Sequence, residues 1–259
     1  MLALTEITKY YPEHLKGYQR FIIREYLQYK ILQIVFDNVS FANKMCFLGG
    51  TCLRLVHENT RFSEDLDFDN FNLSSKDFEE VSSTIATELK KEGYGVEIRN
   101  VYKGAFHCYI RFPELLFKEG LSGHKEEKIL IQLDTEPQHF DFKPDRHVLN
   151  KFDVFTEILT TPLDILLAQK FYAILNRPRP KGRDFFDVIF LLGKTKPNFD
   201  YLKLKLDIDS PIHLKSAILE RCDKIDMEQM ARDVSPFLFN ARDEKRVSLF
   251  VDYLRQVAL

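Results

Sequence analysis

Two short stretches, GGT at residues 49–51 and RFSEDLDF at residues 61–68, decide the fold of this chain. The small-residue turn precedes a short apolar, helical stretch, after which two aspartates flank one leucine. Successive side chains of a β-strand point to opposite faces, so Asp65 and Asp67 share a face. Two carboxylates so close repel each other unless a cation lies between them, and the upstream glycines allow a phosphate to approach the backbone. The pattern therefore predicts a site for a metal-bound nucleoside triphosphate.

A third acid, Asp134, lies in the apolar strand pattern ILIQLDT at residues 129–135. A carboxylate in such a strand is costly to bury without a partner. If this strand lies beside the strand of Asp65 and Asp67, the three acids form an oxygen ligand set for Mg²⁺, with Mn²⁺ as the alternative ion. Such a set suits metal-dependent phosphoryl transfer. Two alternatives stay open: a solvated strand end for the Asp-x-Asp pair, and a cap of the turn toward Pro137 for Asp134.

Two better-known motifs do not fit the same stretch. Asp65, Asp67 and Asp69 imitate the start of a calcium-binding loop. However, Asn70 stands where that loop needs a glycine, and Lys76 stands where it needs a bidentate glutamate. A Walker A loop is excluded too, because the two glycines are followed by TCL rather than by GK and Ser or Thr.

A second group of candidates lies further along the chain. Lys170 falls in the apolar pattern ILLAQKF at residues 165–171, and Asp184 and Asp187 share one face of the next predicted helix. One interpretation places Lys170 on the triphosphate and Asp184 near the reacting hydroxyl, as a base or positioning acid. The other is an ion pair that holds the two helices together.

Basic residues lie next to both groups. Arg61 and Ser63 directly precede the paired acids, where either can contact phosphate oxygens, although a surface arginine and a strand-cap serine are the commoner roles. The segment RPRPKGR at residues 177–183 carries the basic cluster Arg177, Arg179, Lys181 and Arg183. We interpret it as a site for an RNA backbone, with a solvated loop as the alternative.

Composition sets the broad class. The chain has 259 residues and a net charge of −2, so no global basic field indicates nucleic-acid binding and a polyanion needs a local patch. The four cysteines show no metal-ligand spacing, which favours buried thiols in a reducing compartment. No apolar stretch reaches the roughly 18 residues that a membrane span needs, and no secretory signal pattern is visible. We expect a cytoplasmic protein with no membrane partner.

Hydrophobic periodicity predicts the element order. We predict one long helix or two joined helices over residues 12–39 and further helices over residues 51–57, 76–91 with Ser75 as N-cap, 162–175 with Thr161 as N-cap, and 183–192. We predict strands over residues 47–48, 66–68, 96–102, 105–112 and 128–135. The predicted fold class is α+β: a mixed β-sheet flanked by helices over residues 1–155, followed by a mainly helical domain over residues 156–259. We expect the second domain to contribute Lys170 and Asp184 to a cleft.

The ordered combination of these blocks resembles a known family. GGT, the Asp-x-Asp pair, the helix of Lys170 and KGRDFFD at residues 181–187 look like the signature of the AbiEii/AbiGii-type nucleotidyltransferase toxins, within the DNA polymerase β-like superfamily. The resemblance spans about residues 47–192. It implies a nucleotidyltransferase-like fold, Mg²⁺, and transfer of a nucleoside monophosphate from NTP with release of pyrophosphate. It also implies an RNA acceptor such as the tRNA 3′ end, with another RNA or a protein as open alternatives. The implied role is the toxin of a toxin–antitoxin (abortive infection) system, with a cognate antitoxin as partner.

The resemblance also assigns residues. The implied metal ligands are Asp65, Asp67 and Asp134. The implied catalytic residues are Asp65, Asp67, Lys170 and Asp184. The implied phosphate-binding residues are Gly49, Gly50, Ser63 and Lys170, and Thr51 and Arg61 are further candidates for nucleotide binding beside them. Two competing functions stay open: a non-catalytic NTP-binding interaction module with the same fold, and a metal-dependent phosphohydrolase, for which the sequence offers no histidine-containing motif.

Overall fold

The computed structural model describes residues 2–259. Its strands are β1 (Met45–Leu48), β2 (Leu66–Asn70), β3 (Glu97–Lys103), β4 (Ala105–Phe112), β5 (Ile129–Glu136), β6 (Asp145–Lys151) and β7 (Val154–Thr160). Its helices are α1 (Leu4–Ile7), α2 (Gln19–Phe36), α3 (Gly49–Leu55), α4 (Ser75–Lys91), α5 (Leu115–Lys118), α6 (Leu163–Asn176), α7 (Gly182–Leu192), α8 (Phe199–Leu206), α9 (Pro211–Cys222), α10 (Met227–Val234), α11 (Lys245–Ser248) and α12 (Phe250–Gln256).

The chain divides into two compact units. The sheet unit comprises residues 2–57, Phe62–His139 and Pro144–Thr160, and it holds β1 to β7. The helical unit comprises Glu58–Arg61, Phe140–Lys143 and Thr161–Leu259, and it holds α6 to α12. Two short inner segments of the chain therefore belong to the helical unit, although the residues on either side of them belong to the sheet unit.

The sheet is mixed. Within residues 2–259 it has seven strands, in the order β3-β4-β5-β2-β1-β7-β6. β2 runs parallel to β5 and β1 runs parallel to β7, whereas the other neighbouring pairs are antiparallel. A mixed sheet followed along the chain by a set of helices is the α+β class predicted from the sequence, and that prediction is confirmed.

The two faces of the sheet differ in burial, as β5 shows. Ile129, Ile131 and Leu133 are buried on one face, whereas Gln132 and Asp134 alternate with them on the other face and are half-buried. Helix α4 contacts β3 and β4, and α2 contacts β5 and β7. These long helices account for the buried face, so the face of Asp134 is the one that solvent reaches.

Two predicted helix starts shift by one residue. We predicted Ser75 as the N-cap of α4, but the cap is Ser74, whose hydroxyl accepts a bond from the Asp77 N–H at 3.1 Å. The Asp77 carboxylate in turn accepts a bond from the Ser74 N–H at 2.9 Å, which completes a capping box. At α6 we predicted Thr161 as the cap with Pro162 inside the helix. Pro162 itself takes the cap position, because its backbone is extended with ψ of 149°.

Candidate functional site

Asp67 and Asp134 occupy paired positions on neighbouring strands. β2 and β5 are parallel, and their register pairs Asp67 directly with Asp134. Residues paired in this way point to the same face, so the two carboxylates lie side by side on the partly open face of the sheet. The strand of Asp134 therefore does lie beside the strand of the paired acids, as the sequence argument required. The roles of these acids as metal ligands stay predictions.

The turn between β1 and α3 lies against Asp67. Gly49 has a φ of 80°, in the left-handed region that glycine adopts without strain. A Cβ atom built on Gly49 would meet the Cβ and Cγ atoms of Asp67 at 3.0 Å. Gly50 follows in the first turn of α3. The backbone of this turn therefore reaches the acid directly, and no side chain at position 49 fits between them.

We expect Gly49→Ala to destabilise the sheet unit by about 1–3 kcal/mol, because alanine is strained at this φ and its methyl group collides with Asp67. Urea unfolding followed by circular dichroism measures the loss. Gly104→Ala is the matched control: its φ is 79°, but nothing lies within 4 Å of the added Cβ. Equal losses in the two variants would contradict the steric part of this prediction.

The segment before β2 is held by two helices. The hydroxyl of Thr51, in α3, donates to the backbone carbonyl of Asp65. The buried Gln28, in α2, donates from Nε2 to the carbonyls of Ser63 at 3.2 Å and Glu64 at 2.9 Å. These contacts fix the backbone that leads into the paired acids. For Thr51 and Ser63, which we predicted as nucleotide-binding residues, the structure shows these backbone contacts, and the nucleotide contacts stay predictions.

Asp134 has two partners that the sequence did not indicate. His107 Nδ1 lies 2.8 Å from Asp134 Oδ1. Gln132 Nε2 donates to Oδ1 at 2.9 Å and to Oδ2 at 2.8 Å. We assigned no role to any histidine from the sequence. In β4, Cys108, Ile110 and Phe112 are buried, so His107 lies on the opposite face, and the register of β4 against β5 pairs it with Asp134.

The acids fit an Mg²⁺ ion by the chemistry of their oxygen atoms. Carboxylates are the ligands that Mg²⁺ and Mn²⁺ prefer, and the register of β2 and β5 brings two of them together. No group of three His, Cys, Asp or Glu side chains within residues 2–259 is arranged as a preformed metal site. Asp65, Asp67 and Asp134 therefore remain a predicted ligand set.

Lys170, Arg61 and the two acids of α7 form a buried ion-pair cluster in the helical unit. The fully buried Asp187 accepts bonds from Arg61 Nε at 2.7 Å and Nη2 at 2.6 Å, and from Asn59 Nδ2 at 2.8 Å. Lys170 Nζ lies 2.8 Å from Asp187 Oδ2 and 3.1 Å from Asp184 Oδ1. Charge-assisted bonds thus tie α6, α7 and the segment Glu58–Arg61 together within the helical unit.

Neighbouring charges favour the ionised forms of Asp187 and Lys170. Burial alone would raise the pKa of Asp187, but Arg61 and Lys170 outweigh it and lower that pKa to about 2. Burial alone would lower the pKa of Lys170, but Asp187 and Asp184 outweigh it and raise that pKa. Of the two interpretations that the sequence left open for Lys170, the structure shows the ion pair between helices. The phosphate contacts of Lys170 and Arg61 and the catalytic role of Asp184 stay predictions.

The basic loop at residues 177–183 is anchored at its start. Arg221 donates from Nε to the carbonyl of Ile174 at 3.2 Å and from Nη2 to the carbonyl of Arg177 at 2.7 Å. Arg177 Nε lies 3.3 Å from Asp184 Oδ2. The side chains that follow, Arg179 and Lys181, are exposed. Two cations are therefore presented to solvent by a loop whose backbone is fixed.

Similar solved structures define the class of fold. The crystal structure of JHP933 from Helicobacter pylori is similar to this chain with a TM-score of 0.54 at 16% sequence identity, over 91% of this chain and 92% of that one. A second crystal structure from H. pylori has the same TM-score and identity, over 91% of this chain and 94% of the other. At such low identity the similarity establishes the fold alone.

The sequence identifies the family. Residues 30–252 match the family described as "Nucleotidyl transferase AbiEii toxin, Type IV TA system". Because the match covers most of the chain, this protein belongs to the AbiEii family, and the resemblance and the nucleotidyltransferase-like fold predicted from the sequence are confirmed. No curated protein matches the sequence. None of the helices within residues 2–259 has both the length and the apolar composition needed to cross a bilayer.

Proposed function

We propose that this chain transfers a nucleoside monophosphate from an NTP to a hydroxyl group of an RNA, with release of pyrophosphate. The observation that carries the proposal is the pairing of Asp67 with Asp134 beside the turn at Gly49. It places two carboxylates side by side on the partly open face of the sheet, one of them against a backbone position that has no side chain. Carboxylates for the metal ion and an open backbone for the phosphates are the environment that a metal-bound triphosphate requires. Membership of the AbiEii family supports the same class of reaction.

Asp65, Asp67 and Asp134 are the residues that we propose to hold Mg²⁺, with Mn²⁺ as the alternative ion. When bound, the ion would neutralise charge on the triphosphate and activate the acceptor hydroxyl. The chain itself supplies rigidity: β2 fixes Asp67, while Thr51 and Gln28 fix the backbone of the segment that carries Asp65. The backbone at Gly49 and Gly50 is where we propose that the phosphates lie.

The acceptor that we propose is the 3′ end of an RNA, with tRNA as the first candidate. Arg179 and Lys181 are exposed on the anchored basic loop, where they can attract a phosphate backbone although the chain has a net charge of −2. Family membership in a type IV toxin–antitoxin system supports a toxin role. A cognate antitoxin is therefore the protein partner that we propose.

Incubation with Mg²⁺, total tRNA and each α-labelled NTP in turn tests the proposal. We expect one or more NTPs to label the RNA, with an equal amount of pyrophosphate released. The same incubation with Asp67→Asn is the control for contaminating enzymes. If none of the NTPs labels tRNA, total RNA or a cell extract although the protein binds Mg-NTP, transfer is contradicted. A rise in Tm with NTP but no product would then support the NTP-binding module, and release of phosphate would support a hydrolase.

A further inference from the structure

A histidine lies in one row with two of the proposed metal ligands. The register of the sheet pairs His107 in β4 with Asp134 in β5, and pairs Asp134 with Asp67 in β2. Paired residues point to the same face, so the three side chains follow one another across the open face of the sheet. The side chains of His107 and Asp134 are 26% and 27% exposed, so both are within reach of a ligand from solvent.

The contacts around Asp134 fix both of its oxygen atoms. The Nδ1 atom of His107 lies 2.8 Å from Oδ1 of Asp134, and in the tautomer with its proton on Nδ1 the imidazole donates to the carboxylate. Gln132 lies on the same face two residues earlier in β5, and its amide group donates to both oxygens. Donors on two sides therefore determine how the carboxylate is turned, while lone pairs remain for a further ligand.

We propose that His107 is a positioning residue, which holds the Asp134 carboxylate in place beside Asp67 so that the two acids can share one metal ion. The inference rests on the proposed function, because it assigns a purpose to Asp134 at that site. Hydrogen-bond donors to a metal-ligating carboxylate orient the ligand before the ion arrives, and their loss commonly lowers metal affinity by about 10- to 100-fold.

Binding of Mn²⁺ alone to the full chain, measured by calorimetry and by electron paramagnetic resonance, tests this role. His107→Leu removes the donor, and we expect it to raise the Kd for Mn²⁺ about tenfold or more. His107→Asn places an amide donor near the position of Nδ1, and we expect it to restore the Kd to within about threefold of the parent value. His124→Leu is the matched control, because His124 is exposed and lies in a loop of the same unit. Should His107→Leu fail to fold, Gln132→Met removes the other donor and is expected to weaken Mn²⁺ binding in the same direction.

The outcomes separate this inference from the proposed function. If His107→Leu and Gln132→Met both bind Mn²⁺ as the parent does, while Asp67→Asn does not, the positioning role is wrong and the metal site stands. If the parent itself binds no Mn²⁺, the metal site of the proposed function fails and the inference fails with it. The proton on His107 Nδ1 gives a second readout: its NMR resonance should be shifted downfield in the parent protein and should lose that shift in Asp134→Asn. An unchanged resonance would overturn the contact itself.

Discussion

Asp67→Asn should reduce nucleotidyl transfer by about 10²- to 10³-fold or more, the range expected when one electrostatic group that stabilises a transferring phosphoryl group is removed. Asp67 lies between two parts of the proposed site, the second acid and the glycine turn. Its register partner is Asp134, and its side chain packs against Gly49. Asparagine has the same shape, so the loss should come from charge rather than packing. Transfer of label from NTP to RNA, measured at saturating Mg²⁺, gives the reduction.

Asp69→Asn is the control for this variant. Asp69 lies on the same strand and the same face, two residues further on, but it is buried and accepts a bond from the Gln138 N–H at 2.8 Å. An asparagine oxygen can accept the same bond, so we expect transfer to stay within about threefold of the parent rate. Full activity in Asp67→Asn, or equal losses in the two variants, would remove Asp67 from the proposed metal site.

Asp187→Ala should lower the free energy of unfolding of the helical unit by about 3–5 kcal/mol, the cost of removing one partner from a buried ion pair. The substitution leaves Arg61 and Asn59 without the carboxylate that accepts their bonds, and leaves Lys170 with Asp184 alone. Buried cations deprived of a counter-charge are far more costly than the lost contact by itself. Urea unfolding followed by far-ultraviolet circular dichroism measures the change.

Two comparisons make this prediction specific. Asp252 forms an exposed ion pair with Arg255 at 3.3 Å, and we expect Asp252→Ala to cost less than about 1 kcal/mol. The double variant Arg61→Met with Asp187→Leu removes charge and counter-charge together, and should recover part of the loss seen in Asp187→Leu. A loss in Asp187→Ala as small as that in Asp252→Ala would show that the cluster does not stabilise the unit.

The cluster should also make stability depend on pH in an acidic range. The pKa of Asp187 falls from its ordinary value of 3.8 to about 2 in the folded chain. A lowered pKa means that the stabilisation is complete above the unfolded value and is lost as pH falls through the folded value. The difference in unfolding free energy between the parent and Asp187→Asn should therefore shrink by about 2 kcal/mol as the pH falls from about 4 to 2. A difference that stays constant over this range would contradict the assignment.

The three acids Asp65, Asp67 and Asp134 were largely predictable as site candidates, because the patterns that indicate them lie in short stretches of sequence. The turn GGT, the pair Asp65 and Asp67, and the apolar strand ending near Asp134 each follow from neighbours in the chain. What the sequence could not supply was the register, which places Asp134 opposite Asp67 rather than one residue away on the other face. The contact of His107 with Asp134 was not predictable for the same reason, because it depends on the register of β4 against β5.

Other features of the fold depend on contacts between distant positions. Arg61 bonds to Asp187 across 126 residues of sequence, and no local pattern distinguishes an arginine in such an ion pair from a solvated one.

The hairpin of β6 and β7 was not predicted, for a different reason. Val154, Thr156 and Ile158 are buried in alternation, as in a strand. Phe155 between them is exposed although it is apolar, so the sequence does not show the alternation of apolar and polar residues that predicts a strand.

The segment Glu58–Arg61 constrains the order in which contacts can form while the chain is synthesised on the ribosome. This short segment is made early, yet it belongs to the helical unit, most of which follows Thr160. Until α7 has emerged, Arg61 is without the carboxylate of Asp187 that it holds in the finished fold. The bond between Arg61 and Asp187 can therefore form only after α7 has been made, and closure of that long loop belongs to the late steps of folding. A fragment that stops at Thr160 contains Glu58–Arg61 but neither α6 nor α7, so the ion-pair cluster of the helical unit cannot form in it.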